Sequence, residues 1–180
     1  MNTFTRLVIL LSYLFLSTGL HAETRVEITL VDKLDDARGY CIDIPGFQFE
    51  ARPEDGLQIH TCYSYRGKLA VDQAFDADKI SEGTFTVIEF GLCMTAKDPS
   101  TDKRLWLKSC DESSGQQFRH QSNGNIESLA YPGNCVTAGE GPSSKGGGGD
   151  PVHLYRELTL DNCDSSASER QNWRFRKSAD

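Results

Sequence analysis

Gly39-Tyr40-Cys41-Ile42-Asp43-Ile44, Gly91-Leu92-Cys93-Met94-Thr95-Ala96 and Gly133-Asn134-Cys135-Val136-Thr137-Ala138 open three copies of one pattern. Each is followed by Leu-x-(Ile/Leu)-x-x-Cys: Leu57 to Cys62, Leu105 to Cys110 and Leu158 to Cys163. Each then ends on Gln-x-aromatic: Gln73-Ala74-Phe75, Gln116-Gln117-Phe118 and Gln171-Asn172-Trp173. Three ordered matches in three copies identify an internal repeat, and a repeat decides the architecture before any local propensity does. Leu57/Ile59, Leu105/Leu107 and Leu158/Leu160 alternate with their neighbours, a period of two that belongs to strands. Thr84 to Phe90, β-branched and aromatic, predicts another strand. Asn123-Gly124 and Pro132-Gly133 mark turns. No stretch carries a sustained helical stripe with caps. The chain therefore reads as all-β, a closed barrel of three similar lobes.

The same repeat pairs the cysteines. All six lie past residue 40, at 41, 62, 93, 110, 135 and 163, and an even count in an exported chain implies disulfides. One bridge per copy gives Cys41–Cys62, Cys93–Cys110 and Cys135–Cys163. Their spacings are far from the short Cys-x-x-Cys type of a zinc site. Export is expected because residues 1–22 combine Arg6, an apolar run from Leu7 to Leu16 and a small residue at Ala22. This is the layout of a signal peptide cleaved before Glu23. The apolar run is shorter than the roughly 20 residues a membrane span needs. Secretion or a periplasmic location follows.

Composition narrows the function classes. The chain has 180 residues, 38% hydrophobic and 25% charged, which fits one soluble globular domain beyond the leader. Its net charge of −7, with no basic block, argues against binding nucleic acid or anionic membranes. No Gly-x-Ser-x-Gly elbow is present, and bridged cysteines leave no thiol nucleophile. His120 and His153 are expected as solvated surface residues. Ser143 to Asp150, with four consecutive glycines, reads as a mobile surface loop inserted in the third copy. A phosphate cradle would instead need a helix after the glycines, where Asp150-Pro151 stands. Arg25 to Val31 alternates and fits a strand that closes the barrel.

Gly-x-Cys-(apolar)-Asp, then Leu-x-Ile-x-x-Cys, then Gln-x-(Trp/Phe), in triplicate, resembles the ricin B-type lectins. The likeness runs from about Gly39 to Phe175. It implies a β-trefoil with lobes α (about 39–80), β (about 91–126) and γ (about 133–176), occupying 23–180. It also implies a carbohydrate-binding, non-enzymatic module without a resident cofactor or metal. Glycans or glycoproteins are the implied partners, most often through galactose-type sugars.

Carried over by position, the resemblance makes Asp43 the carboxylate that accepts two sugar hydroxyls. His60 stands at the place of an aromatic platform. Asp72 and Gln73 stand where the family has an Asn-Gln pair, with Gln73 orienting Asp43. A carboxylate suits vicinal hydroxyls because it accepts two charge-assisted hydrogen bonds at once, while a flat ring covers the sugar's C–H face. His60 is a smaller platform than Trp or Tyr, so Tyr63, Tyr65 and Phe47 are candidates to supply it. Asp72 brings a second carboxylate beside Asp43; two acids alone are a poor calcium set. Lobe β offers Thr95, Lys108 and Gly115 at the matching places, and lobe γ offers Thr137, Asp161 and Arg170. Both lack the key carboxylate and read as folding repeats. Phe75, Phe118 and Trp173 read as core, with each Gln fixing its lobe's turn. Trp106 is a candidate surface contact. The competing reading is a protein-interaction scaffold, such as an accessory or delivery subunit of a toxin.

Overall fold

The computed structural model describes residues 24–63 and 71–177. The expected leader and Tyr65 lie outside them. Among the described residues, strands β1 (Arg25–Leu30), β2 (Tyr40–Asp43), β3 (Gln58–Thr61) and β4 (Phe75–Asp76) are followed by a short helix α1 (Ala77–Ser81). Strands β5 (Thr86–Val87), β6 (Leu92–Thr95), β7 (Trp106–Ser109) and β8 (Phe118–His120) come next. The chain then forms β9 (Ile126–Ser128), β10 (Asn134–Ala138), β11 (Ser144–Lys145) and β12 (Leu154–Asn162), a one-turn helix α2 (Ser168–Gln171), and β13 (Trp173–Lys177). All pairings are antiparallel, and one curled sheet runs from β7 through β6, β5, β4, β1, β2, β3, β12, β10 and β9 to β8. This is a β-trefoil. Strand β1 is also paired with β13 over five registers, from Val26↔Lys177 to Leu30↔Trp173, as the alternation in that segment predicts.

The disulfides are the three that the repeat selects, Cys41–Cys62, Cys93–Cys110 and Cys135–Cys163. Gly39, Gly91 and Gly133 have φ of 79°, 59° and 79°, a left-handed turn that favours glycine at the mouth of each lobe. The glutamines form a threefold clamp. In lobe β, Gln116 accepts from Asp111 N–H at 2.9 Å and donates to Ser109 C=O at 2.9 Å. In lobe γ, Gln171 accepts from Asp164 N–H and donates to Asn162 C=O, both at 2.9 Å. Gln73 repeats this with Tyr63 N–H and Thr61 C=O at 3.2 and 3.3 Å. Each clamp supplies a hydrogen-bond partner to the backbone on both sides of a lobe's second cysteine, at the end of its strand.

One core fills the barrel. Ile42, Ile59 and Phe75 come from lobe α, Met94, Leu107 and Phe118 from lobe β, and Val136, Leu160 and Trp173 from lobe γ. Trp173 donates its indole N–H to Val136 C=O at 2.9 Å, so its one polar atom is satisfied inside the core.

Two expectations differ. Between Thr84 and Phe90 only Thr86–Val87 is strand, and Ile88–Phe90 is a 3-10 turn. Burial alternates only as far as Val87, and left-handed Gly91 then turns the chain into β6. The glycine segment is an ordered strap rather than a free loop. Ser144–Lys145 pairs with Tyr155–Leu154, Gly146 N–H donates to His153 C=O at 2.7 Å, and His153 N–H donates to Gly148 C=O at 3.1 Å.

Candidate functional site

In lobe α, β2 carries Asp43 and β3 carries His60, and Asp43 is the register partner of Gln58. Gln58 Nε2 donates to Asp43 Oδ2 at 3.0 Å. Gln58 was not among the expected site residues; its role comes from cross-strand register, which a single strand's pattern does not reveal. Asp72 accepts from Gln48 N–H at 3.0 Å through Oδ2. Both carboxylates are fully buried, and the Oδ1 atom of each has no hydrogen-bond partner. Burial, then the neighbouring Asp72, pushes the Asp43 pKa well above the usual carboxylate range, while Gln58 and Gln73 pull the other way. Burial also raises Asp72. Two desolvated carboxylates this close favour a shared proton or an incoming donor.

Thus the fold brings Asp43, Asp72, Gln73 and His60 into one neighbourhood. His60 lies 3.9 Å from Asp43 Oδ2 through Nδ1, which is also 3.1 Å from Thr61 C=O. Its ring is not open to solvent. Tyr63 and His153 pack on it with centroids at 5.3 and 5.2 Å, and Tyr63 and His153 themselves stand 5.2 Å apart. Burial holds the imidazole pKa down to about 4. Tyr63 is raised above its ordinary value by burial and then by Asp43 and Asp72.

The strap secures His153 in that cluster. Arg38 donates to Pro151 C=O at 2.8 Å and to Val152 C=O at 2.9 Å, and it also grips Asp36. Asp35 accepts from Ser143 N–H and from Arg156, each at 2.8 Å. Burial would raise Asp35, but the donors from Ser143, Tyr40 and Arg156 outweigh it and hold the carboxyl below its usual range. His153 is therefore half-buried structure rather than a solvated surface residue. His120 is exposed, with Nε2 at 3.0 Å from Trp173 C=O and its ring 4.6 Å from Phe175.

The other lobes use the matching positions internally. Thr95 and Thr137 accept from Gln116 and Gln171 at 3.1 and 2.9 Å. Asp161 pairs with Lys103, Arg170 with Glu140, and Lys108 is exposed. Trp106 is half-buried and donates to Asp102 at 2.9 Å, with Arg104 and Lys97 at 3.9 and 4.3 Å from its ring. Cations hold that ring. No group of three or more His, Cys, Asp or Glu among the described residues is placed to hold a metal ion. No helix among them is long and apolar enough to cross a membrane.

The sequence model of the ricin-type beta-trefoil lectin domain matches residues 31–156. The chain belongs to that family. No curated protein matches this lectin-family chain as a relative. Among solved structures, an earthworm lectin C-terminal domain mutant in complex with 6'-sialyllactose is 16% identical, with a TM-score of 0.57 over 86% of this chain and 98% of that one. A Vibrio vulnificus hemolysin/cytolysin beta-trefoil lectin with N-acetyl-D-lactosamine bound is 14% identical, with a TM-score of 0.54 over 88% and 98%. A non-toxic homologue of type II RIPs from Momordica charantia (bitter gourd), in complex with alpha-methyl-D-galactoside, is 15% identical, with a TM-score of 0.56. The match covers 85% of this chain but 48% of that one, so the family domain here spans about half of that protein. These likenesses establish the fold.

Proposed function

We propose that this ricin-type trefoil is an exported, non-enzymatic carbohydrate-binding module that takes a glycan at lobe α. The observation that carries the reading is the Asp43 carboxylate on β2, set beside Gln73 and bonded to Gln58, in the one lobe that has an acid at this position. Its unpartnered Oδ1 and that of Asp72 are acceptors without donors, which is what a pair of sugar hydroxyls would supply. Galactose-type sugars fit the family resemblance and the galactoside and lactosamine bound to two of the similar structures. A single site of this kind gives an affinity near millimolar, about −4 kcal/mol, so cell binding would rest on multivalency. Three disulfides suit an exported chain.

The full burial of Asp43 and the internal use of Thr95 and Thr137 favour a second reading, in which the trefoil is a protein-binding scaffold. A glycan array on the oxidised protein, run with and without Ca²⁺ and repeated with Asp43→Asn, separates the two. Defined hits that vanish in the variant support the lobe α site. A blank array from folded, disulfide-intact protein refutes the lectin reading and directs the search to a partner subunit.

A further inference from the structure

In and just before β7, Leu105 and Leu107 are core residues, so the alternation of a strand turns Arg104, Trp106 and Lys108 to the opposite, outward face. The matching row holds Gln58 and His60 in lobe α and Thr159 and Asp161 in lobe γ. The equivalence is fixed by register, since His60, Lys108 and Asp161 each stand opposite the first cysteine of their lobe. Lobe β alone carries cations in this row. Its facing strand offers no carboxylate to offset them, because Thr95 stands opposite Trp106 where Asp43 stands opposite Gln58.

Three cationic heads meet on one indole. Arg104 Cζ, Lys97 Nζ and Lys108 Nζ stand 3.9, 4.3 and 5.7 Å from the centre of the Trp106 ring. They stay open to solvent: the side chains of Lys97 and Arg104 are 48% and 54% exposed, and Lys108 is exposed. Asp102 is the acid they share. It accepts from Lys97 at 3.3 Å and from the indole N–H at 2.9 Å, and it lies 3.8 Å from Arg104. Neighbouring Lys103 is taken by Asp161, and Asp98 accepts from Ser100 N–H at 2.9 Å. Lys108 has no ion-pair partner among the described residues. Elsewhere exposed cations pair one to one, as Arg52 does with Asp55 and Lys79 with Glu82. Here three cations have one carboxylate, on a chain whose net charge is −7. The fold gains little from this, since exposed cation–π contacts are weak and like charges repel. What the ring and Asp102 supply is placement, because heads already held lose less freedom when a ligand arrives.

We propose that Lys97, Arg104 and Lys108, held on Trp106, form a site for the anionic group of an acidic saccharide, a sulfate ester or a uronic-acid carboxylate. The saccharide rests on the lectin reading of the family fold, while the site is separate from lobe α and uses neither Asp43 nor Asp72. Sulfate and carboxylate oxygens accept charge-assisted bonds from a guanidinium and two ammonium heads at once. A neutral sugar meets only donors here. Thr95 accepts from Gln116 and donates to Cys93 C=O at 3.0 Å, and Asp102 is already engaged. The cluster therefore selects by charge. Its reach is short, about 8 Å at 0.15 M ionic strength, which suits one or two charges on a sugar. A nucleic-acid duplex, with a charge about every 1.7 Å, would run onto the acidic remainder of the surface.

The full chain with its disulfides would be titrated with galactose, galactose 6-sulfate, galacturonic acid and inorganic sulfate, following amide and indole N–H shifts by NMR. Trp173 is 1% exposed, so a change in indole emission would report on Trp106. Both acidic sugars should shift Lys97, Trp106 and Lys108, and galactose should not. Lys97→Gln combined with Lys108→Gln should weaken binding by about fivefold or more, with an unchanged unfolding midpoint. Lys97→Arg combined with Lys108→Arg should retain it. Binding should fall steeply as ionic strength rises from about 0.01 M to about 1 M, where the Debye length shrinks from about 30 to about 3 Å. Equal shifts of these residues by galactose, or equal affinity for inorganic sulfate or a short DNA duplex, would overturn the assignment to an acidic saccharide. Sugar shifts confined to the surroundings of Asp43 and Gln73 would overturn this site and leave the lobe α reading standing. Acidic sugars bound at Trp106, with no array hit that depends on Asp43, would support this site and refute lobe α. No response to any sugar, with a blank glycan array, would overturn both.

Discussion

Replacing Asp43 by Asn should make this protein more stable at pH 8, while removing its proposed hydroxyl acceptor. Asp43 is fully buried, one of its oxygens has no partner, and Asp72 lies beside it in the same condition. A carboxyl with a raised folded pKa contributes stability that is fully present below the unfolded value near 3.9, and this is lost as pH rises through the folded value. Each unit of elevation costs about 1.4 kcal/mol once the group must ionise. Asparagine has no charge to desolvate and keeps an oxygen for the Gln58 amide. Against this stands about 1 kcal/mol for an amide imperfectly placed. A net gain is expected at pH 8, and each kcal/mol of it would raise Tm by about 2–4 °C for a domain of this size. Thermal unfolding by circular dichroism, with disulfides intact, would be followed from pH 4 to pH 8. The gain should vanish on lowering the pH and turn into a loss of about 1 kcal/mol toward pH 4, where both proteins are neutral at this position and only the cost of the amide remains. A variant less stable than the parent at pH 8, or an advantage independent of pH, would refute the placement of a strained acid pair here.

Two other expectations test the frame around the site. Gln116→Ala removes hydrogen bonds to Asp111, Ser109 and Thr95 and should cost about 2 kcal/mol in urea unfolding; a loss under about 0.5 kcal/mol would show that the glutamine clamp is dispensable. Asp36 is held down to about 2 by Arg38, so its contribution is present above its unfolded pKa near 3.9 and disappears as pH falls through about 2. Arg38→Ala should therefore shift acid unfolding to higher pH and speed amide exchange at Gly146 and His153, where the strap is hydrogen-bonded; unchanged exchange would show that the strap holds without this arginine.

Cysteine, glutamine and aromatic positions made the trefoil legible because each repeats a contact that every lobe must make for itself. The clamp of Gln73, Gln116 and Gln171 on the second cysteine is local in sequence and identical in chemistry, so its signal appears three times. The strap was illegible for the opposite reason. Its anchors from Arg38 go to carbonyls at Pro151 and Val152, and a backbone acceptor leaves no trace in residue identity. Four glycines suggest mobility until those bonds are seen. His153 is hidden from the sequence in the same way, since its burial comes from His60 and Tyr63 of another lobe. At the proposed site, position in the repeat is enough to bring Asp43, Asp72 and Gln73 together. Gln58 depended on strand register, which has no periodic signature.

The pairing of β1 with β13 sets a long-range condition on how the molecule assembles. Each disulfide joins cysteines 17 to 28 residues apart, so every lobe can be cross-linked using only its own segment. The seam between Val26 and Lys177 joins residues at opposite ends of the described chain. High contact order of that kind slows folding, because the loop entropy must be lost before the contact forms. Three oxidised lobes can therefore exist before the barrel is shut, with the last strand supplying the final edge. Linking the ends of β1 and β13 and opening the chain elsewhere would convert this seam into a local hairpin. Such a circular permutant should close faster while retaining the same three staples.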